Sequence, residues 1–302
     1  MVLNPQQIGR LRVSKVIESP VPLPGLPLPM LFPDITPDDL RRLAQWCPMP
    51  DMTGEPETSV ISLGVHSFVM ELDGQNILVD ACNGNHKTRA LPMVHDLDTP
   101  YLENLAAAGF RPEDIHLVLC THLHADHVGW NTRLENGRWV PTFPNARYIF
   151  SKRDYEHWSV EEGEAELLHR QAFDDSVLPV VQAGRAEIVD ADDPVAVHRE
   201  IGDGVWMEPA YGHSPGCVTV HAEAGGAPAI FWGDVVHHPL QLVRPDLPVP
   251  FDHDRQAAVA ARLAMLDRVA DGGTVCFPAH FGGPTAGKVL RDGQAFKFLF
   301  AA

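Results

Sequence analysis

The stretch "THLHADHVGW", residues 121–130, carries the reading that decides the fold. It packs His122, His124, Asp126 and His127 into six positions. In an extended segment, side chains two residues apart point the same way, so His122 and His124 can share one centre. Asp126 and His127 then lie where the chain turns, able to face a second centre beside the first. Imidazole nitrogen and carboxylate oxygen suit zinc, iron, manganese or cobalt. Just before comes "DIHLVLC" (114–120), a compact apolar run of the kind a buried strand has. The donor cluster is therefore expected at the end of a core strand.

Further along, "WGDVVHHP" (232–239) sets Asp234 three positions before His237, with His238 following. A carboxylate so close to a histidine pair points to metal or proton chemistry. In the other direction, "SFVMEL", the turn "DGQN" and "ILVDA" read together as a hairpin. A helix is expected at about 99–108, opened by Thr99-Pro100 and closed near Gly109. "ARYIFS" (146–151) reads as a strand, with Ser151 capping the helix "KRDYEHW". Later strands are expected in "AEIVD", "VWMEPAY", "CVTVHAE", "PAIFWGD" and "TVCFPAH". The clearest helix is "DRQAAVAARLAMLDRVA" (254–270), with Gly272 beyond its end. Strands in both halves, with helices between and after them, make a layered α/β protein. No low-complexity tract divides it, so a single domain spanning residues 1–302 is expected.

One segment stands apart. "SPVPLPGLPLPMLFPDITP" (19–37) holds seven prolines, which exclude helix and central strand and favour a stiff, extended arm. Its apolar residues, Val21, Leu23, Leu26, Leu28, Met30, Leu31 and Phe32, point to packing on a surface, as a dimer contact or one wall of a pocket. Thr36 is placed to cap a short helix with Pro37 at its first position and Asp39 in its first turn.

Composition excludes several classes. With 302 residues, 45% of them hydrophobic, a sizeable core can be buried. The formal charge of −17 repels phosphate backbones, so nucleic acid is not an expected partner. No apolar run reaches the length of a membrane helix, and the N-terminus lacks the apolar core of a signal peptide. Cytoplasmic residence is the default expectation. The five cysteines are odd in number and scattered without a C-x-x-C pair, as expected of reduced thiols.

The histidine-rich stretch resembles the signature of the metallo-β-lactamase superfamily, whose hydrolases bind one or two metals through it. Further motifs follow in the family's order, each at the end of an expected strand: "YGHSPG" with His213, "FWGD" with Asp234 and "FPAHFGG" with His280. The earlier "ILVDACNG" resembles the first motif, whose aspartate, here Asp80, supports the site from behind the ligands. The resemblance runs from about residue 60 to 285. It implies a four-layer αββα sandwich with two divalent ions, zinc foremost. One ion falls to His122, His124 and His213, the other to Asp126, His127 and His280, and Asp234 bridges them. The implied chemistry is attack on a small-molecule substrate by a hydroxide bridging the metals, with Asp126 and Asp234 in the catalytic centre. No protein nucleophile is needed.

Two departures narrow the reading. Many relatives carry a histidine where this chain has Cys217, which leaves the ligand set intact. In one lactonase branch a tyrosine follows the bridging aspartate by three positions. Here that position holds His237, as in the branch of organophosphate and aryl-ester hydrolases. His237 is thus a candidate hydrogen-bond donor to the substrate or leaving group, and His238 a residue that orients the loop. Trp130 and Phe281, adjoining ligand loops, are candidates for an apolar pocket wall. His66, His86, His169, His198, His221 and His253 have no motif context and are expected on the surface or in the core. The expected function is hydrolysis of a lactone, carboxylic ester or phosphotriester with an apolar portion. Thioester hydrolysis of the glyoxalase II kind, a mononuclear iron sulfur dioxygenase and a non-catalytic metal-stabilised binding protein are the alternatives. A homodimer is compatible with the arm.

Overall fold

A computed structural model describes residues 4–19, 25–49, 51–160, 167–201 and 203–301. Its strands in chain order begin with β1 Gln6–Ile8, β2 Leu11–Ile17, β3 Leu26–Pro27, β4 Val60–Ile61, β5 His66–Leu72 and β6 Gln75–Val79. Next come β7 Leu117–Leu119, β8 Thr132–Glu135, β9 Arg138–Pro141, β10 Arg147–Ser151 and β11 Ala186–Val189. The second half holds β12 Val205–Pro209, β13 Val218–Ala222, β14 Ala229–Phe231, β15 Val275–Phe277, β16 Gly287–Asp292 and β17 Ala295–Phe300. They form a seven-stranded sheet, β1-β2-β5-β6-β7-β10-β11, and a six-stranded sheet, β12-β13-β14-β15-β16-β17. Both sheets are mixed. β6, β7, β10 and β11 run parallel, as do β14 and β15, whereas the flanking pairs are antiparallel.

The alternation of side chains explains the layers. Along β7, Leu117 and Leu119 join Val13, Phe68 and Phe231 between the sheets, while Val118 points the other way to Tyr101 and Leu105 of the helix Tyr101–Ala107. Along β14, Phe231 faces inward and Ile230 outward, onto Met265 and Leu266 of the helix Arg255–Val269. Phe68 meets Phe231 and Phe277 edge-on across the interface, each at 5.4 Å between ring centroids. Helix, sheet, sheet and helix therefore stack in the order the resemblance implies.

Register places the site. β6 and β7 pair Val79 with Leu119, so Asp80 and Thr121 leave the first sheet at one level. β14 and β15 pair Phe231 with Phe277, so Asp234 and His280 each follow their paired strand ends by three residues. The Val218 N–H, at the start of β13, donates to the Thr121 carbonyl at 2.8 Å and ties the two sheets together at this same edge.

The expected hairpin is β5–β6, and its turn residues Asp73 and Gly74 both have positive φ, the mirror-turn geometry that matches strand twist. Thr36 and Asp39 cap the helix Pro37–Ala44 reciprocally. Two local expectations need correction. The proline-rich arm is not wholly extended: Leu28–Leu31 makes one helical turn, because Pro29 occupies a first-turn position whose N–H has no helical partner anyway. Leu28, Leu31 and Phe32 are buried and Met30 is 60% exposed. Residues 20–24, with Val21 and Leu23, lie outside the described residues. Ser151 belongs to β10, and its hydroxyl is buried without a hydrogen-bond partner, so its side chain caps nothing. Among the described residues, no helix is long and apolar enough to cross a membrane.

Candidate metal centre

Two buried carboxylates shape the histidine loop. Asp80, held at φ 58, accepts from the Thr121 N–H at 2.8 Å, the Thr121 hydroxyl at 2.9 Å and His127 Nδ1 at 2.9 Å. Asp154 accepts from the Leu123 N–H at 2.8 Å, the Ser214 hydroxyl at 3.0 Å and the Gly216 N–H at 2.5 Å. The first fixes the loop to β6 and the second fixes it to the loop carrying His213. The short helix Ala125–Val128 then ends at Gly129, which packs against the Asn83 backbone so closely that a Cβ would lie 1.7 Å from the Asn83 carbonyl oxygen.

Asp234, 4% exposed, sits at the centre. Its Oδ2 lies 3.2 Å from His213 Nε2, 3.2 Å from His237 Nε2 and 3.8 Å from His122 Nε2. Its Oδ1 lies 2.9 Å from His280 Nε2 and 3.2 Å from His127 Nε2. Each oxygen thus serves a different set of imidazoles. His124 joins the first set, its Nδ1 2.9 Å from His213 Nε2. Asp126 joins the second, with Oδ2 3.6 Å from His280 Nε2 and 3.8 Å from His127 Nε2. Donor atoms within 4.8 Å of one another group as His122, His124 and His213, and as Asp126, His127 and His280. Asp234 groups with His122 and His127, and again with His213 and His237.

The far nitrogens are tethered, which sets the direction of each ring. His127 Nδ1 donates to Asp80, His213 Nδ1 to Asp252 Oδ1 at 3.0 Å and His280 Nδ1 to the Gly64 carbonyl at 2.8 Å. Several inward atoms are left over. Buried His122 Nε2, His127 Nε2, Asp234 Oδ1 and His237 Nδ1 make no aligned hydrogen bond, and His237 Nε2 lies beside Asp234 Oδ2, at 3.2 Å.

Electrostatics divides the rings. Burial holds His122 and His124 well below the usual histidine range, in the neutral form that binds metal. Burial also opposes charge on His127, but Asp234, Asp80 and Asp126 outweigh it and raise that residue well above the range. His213 is raised to about 9 in the same way, burial being overcome by Asp234 and Asp252. The Asp234 carboxyl is held well below the carboxylate range: burial favours its neutral form, and His280, His127 and His237 prevail against it.

Some residues singled out in the sequence lie elsewhere. Trp130 is not a pocket wall: it stacks on Tyr101 with ring centroids 5.1 Å apart and donates to Glu18 at 3.0 Å within the core. Phe281 is 2% exposed and packs on Trp232 and Phe298, because the residue after His280 points to the opposite side of the chain. His238 accepts from the Leu240 N–H at 3.2 Å and lies against Phe32, so it belongs to its loop and to the arm. Cys217 is fully buried among apolar residues of the outer core, and burial raises its thiol well above the usual range.

Others escaped notice. His169, expected on the surface or in the core, stacks on His124 at 3.8 Å between centroids and accepts from the Ala125 N–H. Asp252 and Asp154 orient the site from a proline-broken loop and a helix start, where an aspartate carries no distinguishing pattern. An apolar cleft of about 150 Å³ opens beside Asp126 and His280, walled by Leu26 of the arm, Ile61, Leu91, Met93 and Leu168.

Comparison with known proteins agrees with this architecture. The family model described as metallo-beta-lactamase superfamily matches residues 61–280. An N-acyl homoserine lactonase of Bacillus thuringiensis is 26% identical over 191 residues, covering 60% of this chain and 59% of the relative. The match therefore spans less than two thirds of that lactonase. Among solved structures, the hydrolase AbOPH of the beta lactamase superfamily superposes with a TM-score of 0.78 at 21% identity, covering 100% of this chain and 98% of that one. AidC, a dizinc quorum-quenching lactonase in complex with a product, gives 0.76 at 19% identity, covering 99% and 97%.

Proposed function

The chain belongs to the metallo-beta-lactamase superfamily, and on that premise we propose that it is a metal-dependent hydrolase with two divalent ions, most readily zinc. Its substrate in this reading is a lactone, carboxylic ester or phosphotriester with an apolar portion. One observation carries the proposal: the two oxygens of Asp234 face two different sets of buried imidazoles. A carboxylate so placed suits a bridge between His122, His124 and His213 on one side and Asp126, His127 and His280 on the other.

The donor set fits such ions. The inward nitrogens of His122 and His127 are buried without an aligned hydrogen bond, the outward nitrogens of His127, His213 and His280 are fixed by Asp80, Asp252 and the Gly64 carbonyl, and all donors are nitrogen or oxygen. Against burial, Asp234 raises His127 and His280 from the usual histidine range by favouring positive charge beside it, the charge a divalent ion would supply in place of a proton. When bound, two such ions lower the pKa of a water to about 7 and polarise the carbonyl or phosphoryl oxygen.

The chain's own residues do the rest. Asp80, Asp252 and Gly64 keep three imidazoles aimed inward. The apolar cleft receives the apolar portion of the substrate and sheds its water. His237 is the candidate donor to the substrate or leaving group, since its buried ring stands beside the bridging carboxylate, Nε2 3.2 Å from Asp234 Oδ2, and its Nδ1 has no hydrogen-bond partner. The lactonase relatives favour a lactone within this class, and a donor at His237 serves an ester or triester equally. The test is turnover of lactones, aryl esters, thioesters and phosphotriesters by zinc-loaded protein, with and without chelator. Chelator-sensitive hydrolysis of a lactone, ester or triester is expected; hydrolysis of thioesters alone, or of none, contradicts the reading.

A further inference from the structure

The cleft beside Asp126 and His280 is not the site's single apolar surface. Phe251 is 43% exposed, unusual for a phenylalanine, yet its ring lies edge-on to His213 at 5.8 Å and to His237 at 5.3 Å. Its neighbours are clamped. The Asp252 N–H donates to the Val249 carbonyl, the His253 N–H to the His213 carbonyl at 3.1 Å and the Asp254 N–H to the Gly212 carbonyl at 2.8 Å. The buried Arg262 guanidinium holds the same loop through the Pro245 and Leu247 carbonyls. An exposed aromatic ring on so constrained a loop loses little conformational freedom when a ligand covers it.

Position gives it meaning. Asp234 Oδ1 faces His280, the end where the cleft opens, and Oδ2 faces His213 and His237, the end where Phe251 stands. Apolar surface thus flanks both ends of the donor cluster. Resting on the hydrolase reading above, we infer that the site takes substrates with an apolar group on each side of the bond cleaved, and that Phe251 selects the second of these groups. For a carboxylic ester, water oxygen bonds to the carbonyl carbon, the acyl C–O bond breaks, and a proton passes to the departing alkoxide. One apolar group then lies in the cleft and the other against Phe251.

Hexanoate esters of benzyl alcohol and methanol test this, because both lose an alkoxide and differ mainly in the apolar group. In the zinc-loaded enzyme, Phe251→Ala lowers kcat/KM for benzyl hexanoate roughly tenfold and for methyl hexanoate less than twofold, at unchanged metal content. Equal losses on both esters overturn the assignment, since they mean that Phe251 merely supports His213 and His237. Calorimetric binding of benzylphosphonate and methylphosphonate reads the same selectivity without turnover. Phe251→Ala must weaken the benzyl ligand alone; equal weakening, or none, overturns the assignment. If the loaded enzyme hydrolyses neither ester, simple carboxylic esters leave the proposed substrate class and the phosphonate pair alone decides the role of Phe251.

Discussion

Asp80 and Asp252 touch the metal-facing atoms only through a histidine, yet each fixes a ring from behind. Asp80 does this for His127 while holding Thr121, and Asp252 does it for His213 while accepting from the Val249 N–H at 2.9 Å. Removing either carboxylate frees one imidazole to rotate and lowers its basicity as a ligand. Asp80→Ala or Asp252→Ala should therefore raise the zinc dissociation constant about 10- to 100-fold. Titration against a chelator of known affinity checks this, and unchanged affinity in both variants contradicts it. The two residues also differ in how visible they were. Asp80 ends an apolar run inside a recognisable motif, whereas Asp252 is one aspartate in a proline-broken loop and becomes meaningful only once that loop folds onto His213.

Among the elements, β2 has a task beyond pairing. Its Lys15, 6% exposed, sends Nζ to the Phe281 carbonyl at 3.0 Å and the Gly283 carbonyl at 3.4 Å, so it pins the loop that follows His280. Burial lowers this ammonium from 10.5 to about 8. An unfolded lysine keeps its proton to a higher pH, so between pH 8 and 10 unfolding takes up a proton at this residue. Stability then rises with pH, by on the order of 2 kcal/mol across that interval. Lys15→Met lacks this term. Urea unfolding of both proteins should show wild type gaining on the variant from pH 8 to 10; a constant difference contradicts the account. The hairpin β5–β6 was legible because its apolar runs and turn residues agree, and the helix Arg255–Val269 because its alanine-, leucine- and arginine-rich run follows an Asp254 cap. The arm was less so, since proline composition states what a chain avoids and leaves open the single helical turn that buries Leu28 and Leu31.

At the scale of the molecule, two sheets meet so that ligand loops from both converge on one edge. The motifs made this legible, because metal donors must be particular residue types at particular strand ends. Pocket walls carry no such constraint. Trp130 and Phe281 adjoin ligands in sequence and point into the core, while Leu26, Leu91 and Leu168, from three distant segments, line the cleft. The central claim is that Asp234 joins two metal positions, and zinc titration of metal-free protein tests it most directly, with bound metal and hydrolysis followed together. The account predicts saturation at about two equivalents, with activity requiring the second. Saturation at one equivalent with full activity would contradict it.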